Sequence, residues 1–317
     1  MAVSKTLLTT SELHSSQTEK DANAVTIAAA IQRRNYLHGL AYGMLGVLMF
    51  SGGIPATRLA VAELPVIFVG AGRALVAAVL SLLLLLLLKQ KLPERRHLKG
   101  LGVVAFGAVF AYPIFSAIAM QTVDASHGTL VSSIMPLFTA VFGAWLSKQW
   151  PKAGFWLCAL AGTIAVMWYA AGSAKGTMAT GDLWLILACF CCGLSYAKGA
   201  LLAREMGSWQ VICWALVFST PLLLPLCWYF QPADFNVSTQ SWLGFGYLSL
   251  FSMFLGFFAW YKGLAMGGVA HISQLQLLTP FLAFSWAALW LGESISLMQW
   301  GVAILVVAAI ALGRKLA

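Results

Sequence analysis

The sequence predicts an all-α integral membrane protein of ten transmembrane helices, arranged as two five-helix inverted repeats. Three observations carry that prediction. Of 317 residues, 61% are hydrophobic and only 9% charged, far below the roughly 25% charged content of a soluble globular domain. The apolar residues gather into windows of about nineteen, the length that crosses a hydrocarbon core about 30 Å thick. Landmarks of the first half return in the second at a near-constant spacing.

Taken in chain order, residues 1–36 are polar, rich in Ser and Thr and mixed in charge. They lack the apolar stretch and small-residue cleavage site of a signal peptide, and read as a disordered cytoplasmic tail. The first five spans are expected over Leu37–Val61, Val66–Leu88, Leu98–Met120, Ala125–Leu146 and Gly154–Ala171. Five more follow over Leu183–Ala203, Trp209–Phe230, Ser241–Leu264, Val269–Leu291 and Leu297–Leu312. Arg58 and the Gly267-Gly268 pair border or interrupt the first and ninth. The domains are then the tail, a first repeat over 37–172 and a second over 181–317.

Loop charges test the count, because an error of one span would scramble their alternation. With the amino terminus inside, the cytoplasmic segments collect Lys89, Lys91, Arg95, Arg96 and Lys99, then Lys148 and Lys152, then Arg204, Lys262, Arg314 and Lys315. The opposite side receives Arg58 and Lys175. This asymmetry predicts a multi-pass protein of the bacterial inner membrane with both termini cytoplasmic. It also explains the net charge of +9 without nucleic acid, since the basic residues form no single face with interleaved aromatics.

Ser51 and Ser195, Pro136 and Pro280, and Trp156 and Trp300 each stand 144 residues apart. Ala117-Ile118-Ala119-Met120 resembles Gly263-Leu264-Ala265-Met266 at a spacing of 146, so a two-residue slip lies inside each half. Repeating an odd number of spans sends the second half across the bilayer in the opposite sense, the pattern that supports alternating access around a midplane site.

Leu277-Leu278-Thr279-Pro280-Phe281, then Leu291-Gly292-Glu293 and Gln299-Trp300-Gly301, resemble the EamA-type permeases of the drug/metabolite transporter superfamily. Ile134-Met135-Pro136-Leu137, Gly72-Arg73-Ala74-Leu75 and Gly162 supply first-half counterparts. The resemblance covers Leu37 to Lys315 and implies a ten-helix basket. It also implies export or facilitated passage of small metabolites, with a cavity lined by the third, fourth, eighth and ninth helices. Lys148 and Gln149 stand where the glycine-glutamate pair would fall in the first half. Whatever that glutamate does is therefore carried over to Glu293 alone, whose place at a helix end suits a structural role.

A polar group in hydrocarbon needs a partner or a water-filled cavity. Arg73 lies eight residues beyond Pro65, about 12 Å into the second span at 1.5 Å per residue, and would either bind a substrate carboxylate or cap carbonyls at a helix break. Lys198 either snorkels to the cytoplasmic interface or adds a second cation to the cavity. Pro136 and Pro280, at matching places in the fourth and ninth spans, each remove a backbone hydrogen bond and bend their helix. Ser51, Tyr112, His127, Tyr196, Trp260, Tyr261, Gln274 and Gln276 complete the candidate cavity, although aromatic belts and interfacial anchoring account equally for several of them.

No Asp or Glu falls near the middle of a predicted span, which removes the usual intramembrane proton relay. The expectation is facilitated diffusion, or proton coupling through His127 or a carboxylate at a span end. The six cysteines lie in apolar runs, and Cys189-Phe190-Cys191-Cys192 has no second CxxC and no His or carboxylate beside it. No metal or cofactor is expected. A lipid-modifying enzyme would need a nucleophile, metal cluster or paired acids, none of which is visible. A channel would need a ring of repeated polar groups, and a scaffold would have no use for matched prolines. The expected partners are a small-molecule substrate and the lipid bilayer, around a monomer or a homodimer.

Overall fold

A computed structural model describes residues 30–148, 150, 152–173 and 180–316. Most of the amino-terminal tail, Gln149 and Lys175 lie outside the described residues. The described chain is helical, with no strand. Eight helices are long and apolar enough to cross a membrane. They are α1 (Ala30–Ala60), α2 (Val66–Leu87), α3 (Arg95–Ala119), α4 (Ala125–Ser147), α6 (Thr180–Met206), α7 (Ser208–Tyr229), α8 (Thr239–Gly267) and α9, whose spanning part is Ser273–Leu291. Helices α5 (Ala153–Ser173) and α10 (Leu297–Leu316) complete the order, with shorter apolar stretches over Ala153–Gly162 and Leu297–Ala309.

The helices overrun their apolar windows at the charged ends. Helix α1 is already helical at Ala30, the first described residue, upstream of the expected Leu37, since Arg33, Arg34 and Asn35 hydrogen-bond as well in a helix standing in water as in a coil. Beside a turn at Gly52 in α1, which has no counterpart in the continuous α6, four elements depart from regular α-helix in matched pairs. Ala105–Ala111 in α3 and Leu248–Leu255 in α8 are wound as π-helix. In α4, Ser133 and Ile134 close a turn through three-residue bonds from Ser133 N to Leu130 O (3.1 Å) and Ile134 N to Val131 O (3.3 Å). In α9, Ser273–Leu278 is a 3-10 helix. Helix then resumes at Met135 and at Thr279, with Pro136 and Pro280 each in its second position. Proline fits there because the N–H it lacks would have been left over at a helix start. These departures are invisible to hydropathy, since a π or 3-10 turn changes the winding and leaves the apolar content unaltered.

Exchanging the halves maps the helix contacts onto one another. Helix α6 packs on α3 and α4 as α1 packs on α8 and α9, while α2 pairs with α7 and α5 with α10. Helices α1 and α8 approach to backbone contact. A Cβ built on Gly39 would lie 2.7 Å from the Gly267 nitrogen, and one on Gly263 would lie 2.7 Å from the Gly43 nitrogen. Two glycines four residues apart on each helix allow this crossing, in the manner of small-residue membrane interfaces.

The ends of the bundle are fastened differently. On the face where α1, α3 and α9 end, Glu63 accepts from the backbone and hydroxyl of Ser238 and from Ser241 Oγ at the start of α8. The Ser238 hydroxyl and amide together hold the Glu63 carboxyl below its ordinary 4.5. There too, Arg58 donates to the Met120 carbonyl at the end of α3 and faces Asp124 at 3.9 Å. On the opposite face, His97 Nε2 meets Glu205 Oε2 at 3.0 Å, and Arg204 Nε donates to the Ala265 carbonyl in the last turn of α8 at 3.2 Å. Arg58 and Arg204 stand 146 residues apart, the spacing that also joins Ala119 to Ala265. Each arginine thus neutralises carbonyls left over at the end of the third helix of its own half.

Candidate substrate cavity

The breaks in α4 and α9 face each other across a gap in the middle of the bundle. Its walls come from α1, α2, α3, α4, α6, α8 and α9. Among the predicted residues, Ser51, Arg73, Tyr112, Tyr196 and Gln276 line it, together with Pro136 and Pro280. About 60 Å³ is open to the centres of water-sized groups, several times the roughly 10–15 Å³ one water needs and too little for a metabolite.

One wall is aromatic. The Tyr196 ring stacks on Phe50 with centroids 6.2 Å apart and meets Phe257 edge-on at 5.9 Å. Ser51 is fully engaged, its hydroxyl donating to the Leu48 carbonyl at 2.8 Å and accepting from Trp286 Nε1 at 3.1 Å. The opposite wall is polar and poorly satisfied. Arg73, 2% exposed, donates from Nη2 to Ser116 Oγ at 3.3 Å, while its Nε has no partner. Thr129 Oγ1, Ser132 Oγ and Gln276 Oε1 also face the gap as buried atoms with no hydrogen-bond partner. Such atoms are rare in native proteins and call for a reason.

Thr129 and Ser132 were not anticipated, yet two signals pointed to them. Thr129, Ser132 and Pro136 lie three and four residues apart, on one face of a helix. Shifted by 144 they fall on Ser273, Gln276 and Pro280, so the Gln276 already singled out had its first-half equivalent in Ser132.

The remaining predicted residues lie elsewhere. Trp260 and Tyr261 are completely buried side chains behind the aromatic wall. Trp260 packs on Tyr196 at 5.5 Å, and the Tyr261 hydroxyl sits 3.4 Å from Ser195 Oγ. Their bulk made them attractive as cavity linings, but a ring that fills the core leaves no surface for a ligand. Gln274 is buried two residues before Gln276, outside the gap, with Oε1 unpartnered. Lys198 runs beside Gly100, where a Cβ would come within 2.9 Å of its Cε, near the start of α3 and away from the gap. His127 is close to the face where α4 begins. Its Nε2 meets Oδ1 of the fully buried Asp182 at 2.8 Å, and its ring lies 5.3 Å from Tyr169.

Glu293 follows Gly292, which ends α9 in the left-handed conformation at φ 66°. Its two carboxylate oxygens accept from the Ala125 and Ser126 amides, each at 2.9 Å. A carboxylate on the first amides of α4 both fills donors with no helical partner and suits the helix dipole. Gln299 supports the same corner by donating to Ser126 Oγ at 3.0 Å. The glutamate is therefore a cap that joins α9 to α4, and it is not among the residues lining the gap.

A polytopic bundle of apolar helices around a polar, partly unsatisfied gap defines a membrane transporter. The family model for the EamA-like transporter family matches residues 37–171 and 179–313, and the chain belongs to that family. It is 42% identical over 281 residues to the uncharacterized transporter YdeK of Bacillus subtilis, covering 88% of this chain and 98% of that protein. A probable terminal-alkyne amino-acid exporter of Streptantibioticus cattleyicolor is 27% identical over 255 residues, 79% of this chain and 84% of its own length. A solved crystal structure, 19% identical, superposes with a TM-score of 0.65 over 88% of this chain and 99% of that one, and shares its fold. The family and these relatives point to a transporter rather than an enzyme.

Proposed function

We propose that this protein moves small metabolites across a bacterial inner membrane by alternating access, with two five-helix halves threaded in opposite senses and both termini in the cytoplasm. Export is the favoured direction, in keeping with the exporter named among its relatives. The observation that carries the reading is the gap between the matched breaks of α4 and α9, where buried polar atoms await a partner. Helices broken at corresponding places in two repeats are the feature that membrane transporters use to build a midplane site.

The contacts support the opposed senses. Helix α1 ends on the face where α6 begins, since Gly181 of α6 lies against Thr122 and Val123, beside the carbonyl that Arg58 engages. That face carries Glu63, Asp124, Asp182 and Glu293, while the other carries the Lys89 to Lys99 run, Lys148 and Lys152, which suits a cytoplasmic placement. Contacts fasten the helices on both faces, and alternating access would require each face to open in turn. The substrate range consistent with the gap is amino acids, amines, carboxylates or drugs.

Facilitated diffusion is the primary coupling mode, because no Asp or Glu is among the residues lining the gap. Proton coupling is the second reading, favoured by the His127–Asp182 pair. Counterflow in proteoliposomes tests both. Exchange of an internal for an external labelled metabolite is expected without any ion gradient, and its absence for every metabolite that binds the purified protein would contradict transport. Accumulation above equilibrium under an imposed pH gradient would replace facilitated diffusion with the proton-coupled form.

A further inference from the structure

Among the described residues, Arg73 is the one charged side chain lining the gap, and it is placed there by α2, a helix with small residues on its buried face. Ala71, Gly72, Ala74, Ala77 and Ala78 are buried on the same helix, and the Arg73 side chain lines the gap. A guanidinium carries five donors and never gives up its charge. Among the described residues, its hydrogen bond is to the neutral Ser116 hydroxyl, at 3.3 Å. No Asp or Glu pairs with it among the described residues. A buried charge is ordinarily paired, because desolvation without compensation is costly.

The other unsatisfied groups have complementary chemistry. Gln276 Oε1 is an acceptor, and the Thr129 and Ser132 hydroxyls both donate and accept. Phe50, Tyr196 and Phe257 offer apolar surface beside them. The gap therefore holds one fixed positive charge, acceptors for a hydrogen-bond donor, an aromatic wall and no negative charge.

We infer that Arg73 is the anchor of a carboxylate-binding site, and that the ligand is a small organic acid carrying a hydroxyl or ammonium group for Gln276, Thr129 and Ser132. Planar guanidinium and planar carboxylate match through two parallel hydrogen bonds, and a lysine ammonium does not reproduce that geometry. An amine without a carboxylate meets the charge of Arg73 with nothing to offset it. The site thus accepts amino acids and hydroxy acids and rejects the corresponding decarboxylated amines. This inference deepens the transport reading above and rests on it.

The test is a thermal-shift screen of the purified full-length protein against matched sets, each made of an amino acid, its hydroxy acid and its decarboxylated amine. Wild type, Arg73→Gln and Arg73→Lys are compared, and every binder is then taken into proteoliposome counterflow. The expected result is stabilisation by acids and not by their amines. Arg73→Gln is expected to weaken the acids at least a hundredfold and Arg73→Lys about tenfold, the charge being kept and the paired geometry lost. Stabilisation by amines alone, by no acid at all, or acid binding unchanged in Arg73→Gln would overturn the site. If Arg73→Gln does not fold, unchanged acid affinity in Arg73→Lys does the same. Counterflow of an amine would leave transport standing while removing the carboxylate site. Acid binding that depends on Arg73 without counterflow would leave the site and remove transport.

Discussion

Lys148 and Gly292 end α4 and α9 at equivalent positions and in the same left-handed conformation, with φ 56° and 66°. Glycine adopts it freely, whereas a side chain there costs about 1–2 kcal/mol. Part of that is returned by the greater freedom glycine has when unfolded. Lys148→Gly is therefore expected to stabilise the protein by about 1 kcal/mol, raising its melting temperature by about 2 °C. A melting temperature that stays level or falls would show that the left-handed turn carries no strain. The departure of Lys148-Gln149 from glycine-glutamate was visible in the sequence, and so was the end-of-helix placement of Glu293. That the glutamate caps α4 was not, because its partners Ala125 and Ser126 are brought to it by the fold alone. The same limit governed the aromatic residues. Tyr196 and Trp260 have similar neighbours in sequence, yet one lines the gap and the other fills the core behind it.

At the scale of elements, the alternating-access proposal makes the two arginine contacts at opposite faces its gates. Arg58 holds the end of α1 to the end of α3, and Arg204 holds the end of α6 to the end of α8. A hydrogen bond to a charged group contributes about 1.5 kcal/mol, close to a tenfold shift in a two-state equilibrium. Removing one contact should then favour opening on that face alone. Spin labels at Ala62 and Gln121, both exposed, are expected to show a longer and broader distance distribution in Arg58→Ala and an unchanged one in Arg204→Ala. Equal distributions in all three proteins would reduce the Arg58 contact to a surface detail. Eight of the expected spans were readable because apolar windows and charged loops are matters of composition. The π segments of α3 and α8 and the 3-10 turn of α9 were not, since the backbone departs from regular winding to satisfy packing between helices distant in sequence. Only the two prolines announced the breaks.

For the whole molecule, duplication explains most of what the structure contains. One five-helix pattern supplies both breaks, both end-capping turns, both arginine contacts and both rows of polar side chains, Thr129-Ser132 and Ser273-Gln276. The two copies differ where function would be concentrated: Arg73 falls on Ser219 at the spacing of 146 that Arg58–Arg204 and Ala119–Ala265 set on either side of it, and Ser132 has Gln276. A symmetric scaffold thereby encloses an asymmetric gap, which is what a carrier of asymmetric molecules requires. The central claim is that this gap opens in turn to each side of the membrane. Its most direct test is the reaction of Ser132→Cys, in a background with the six native cysteines replaced, with a membrane-impermeant thiol reagent applied to right-side-out and to inside-out vesicles. The account predicts labelling from both sides, prevented on either side by saturating substrate, with a lipid-facing control at Leu289→Cys labelled from neither. Labelling from one side only, or none, would contradict it.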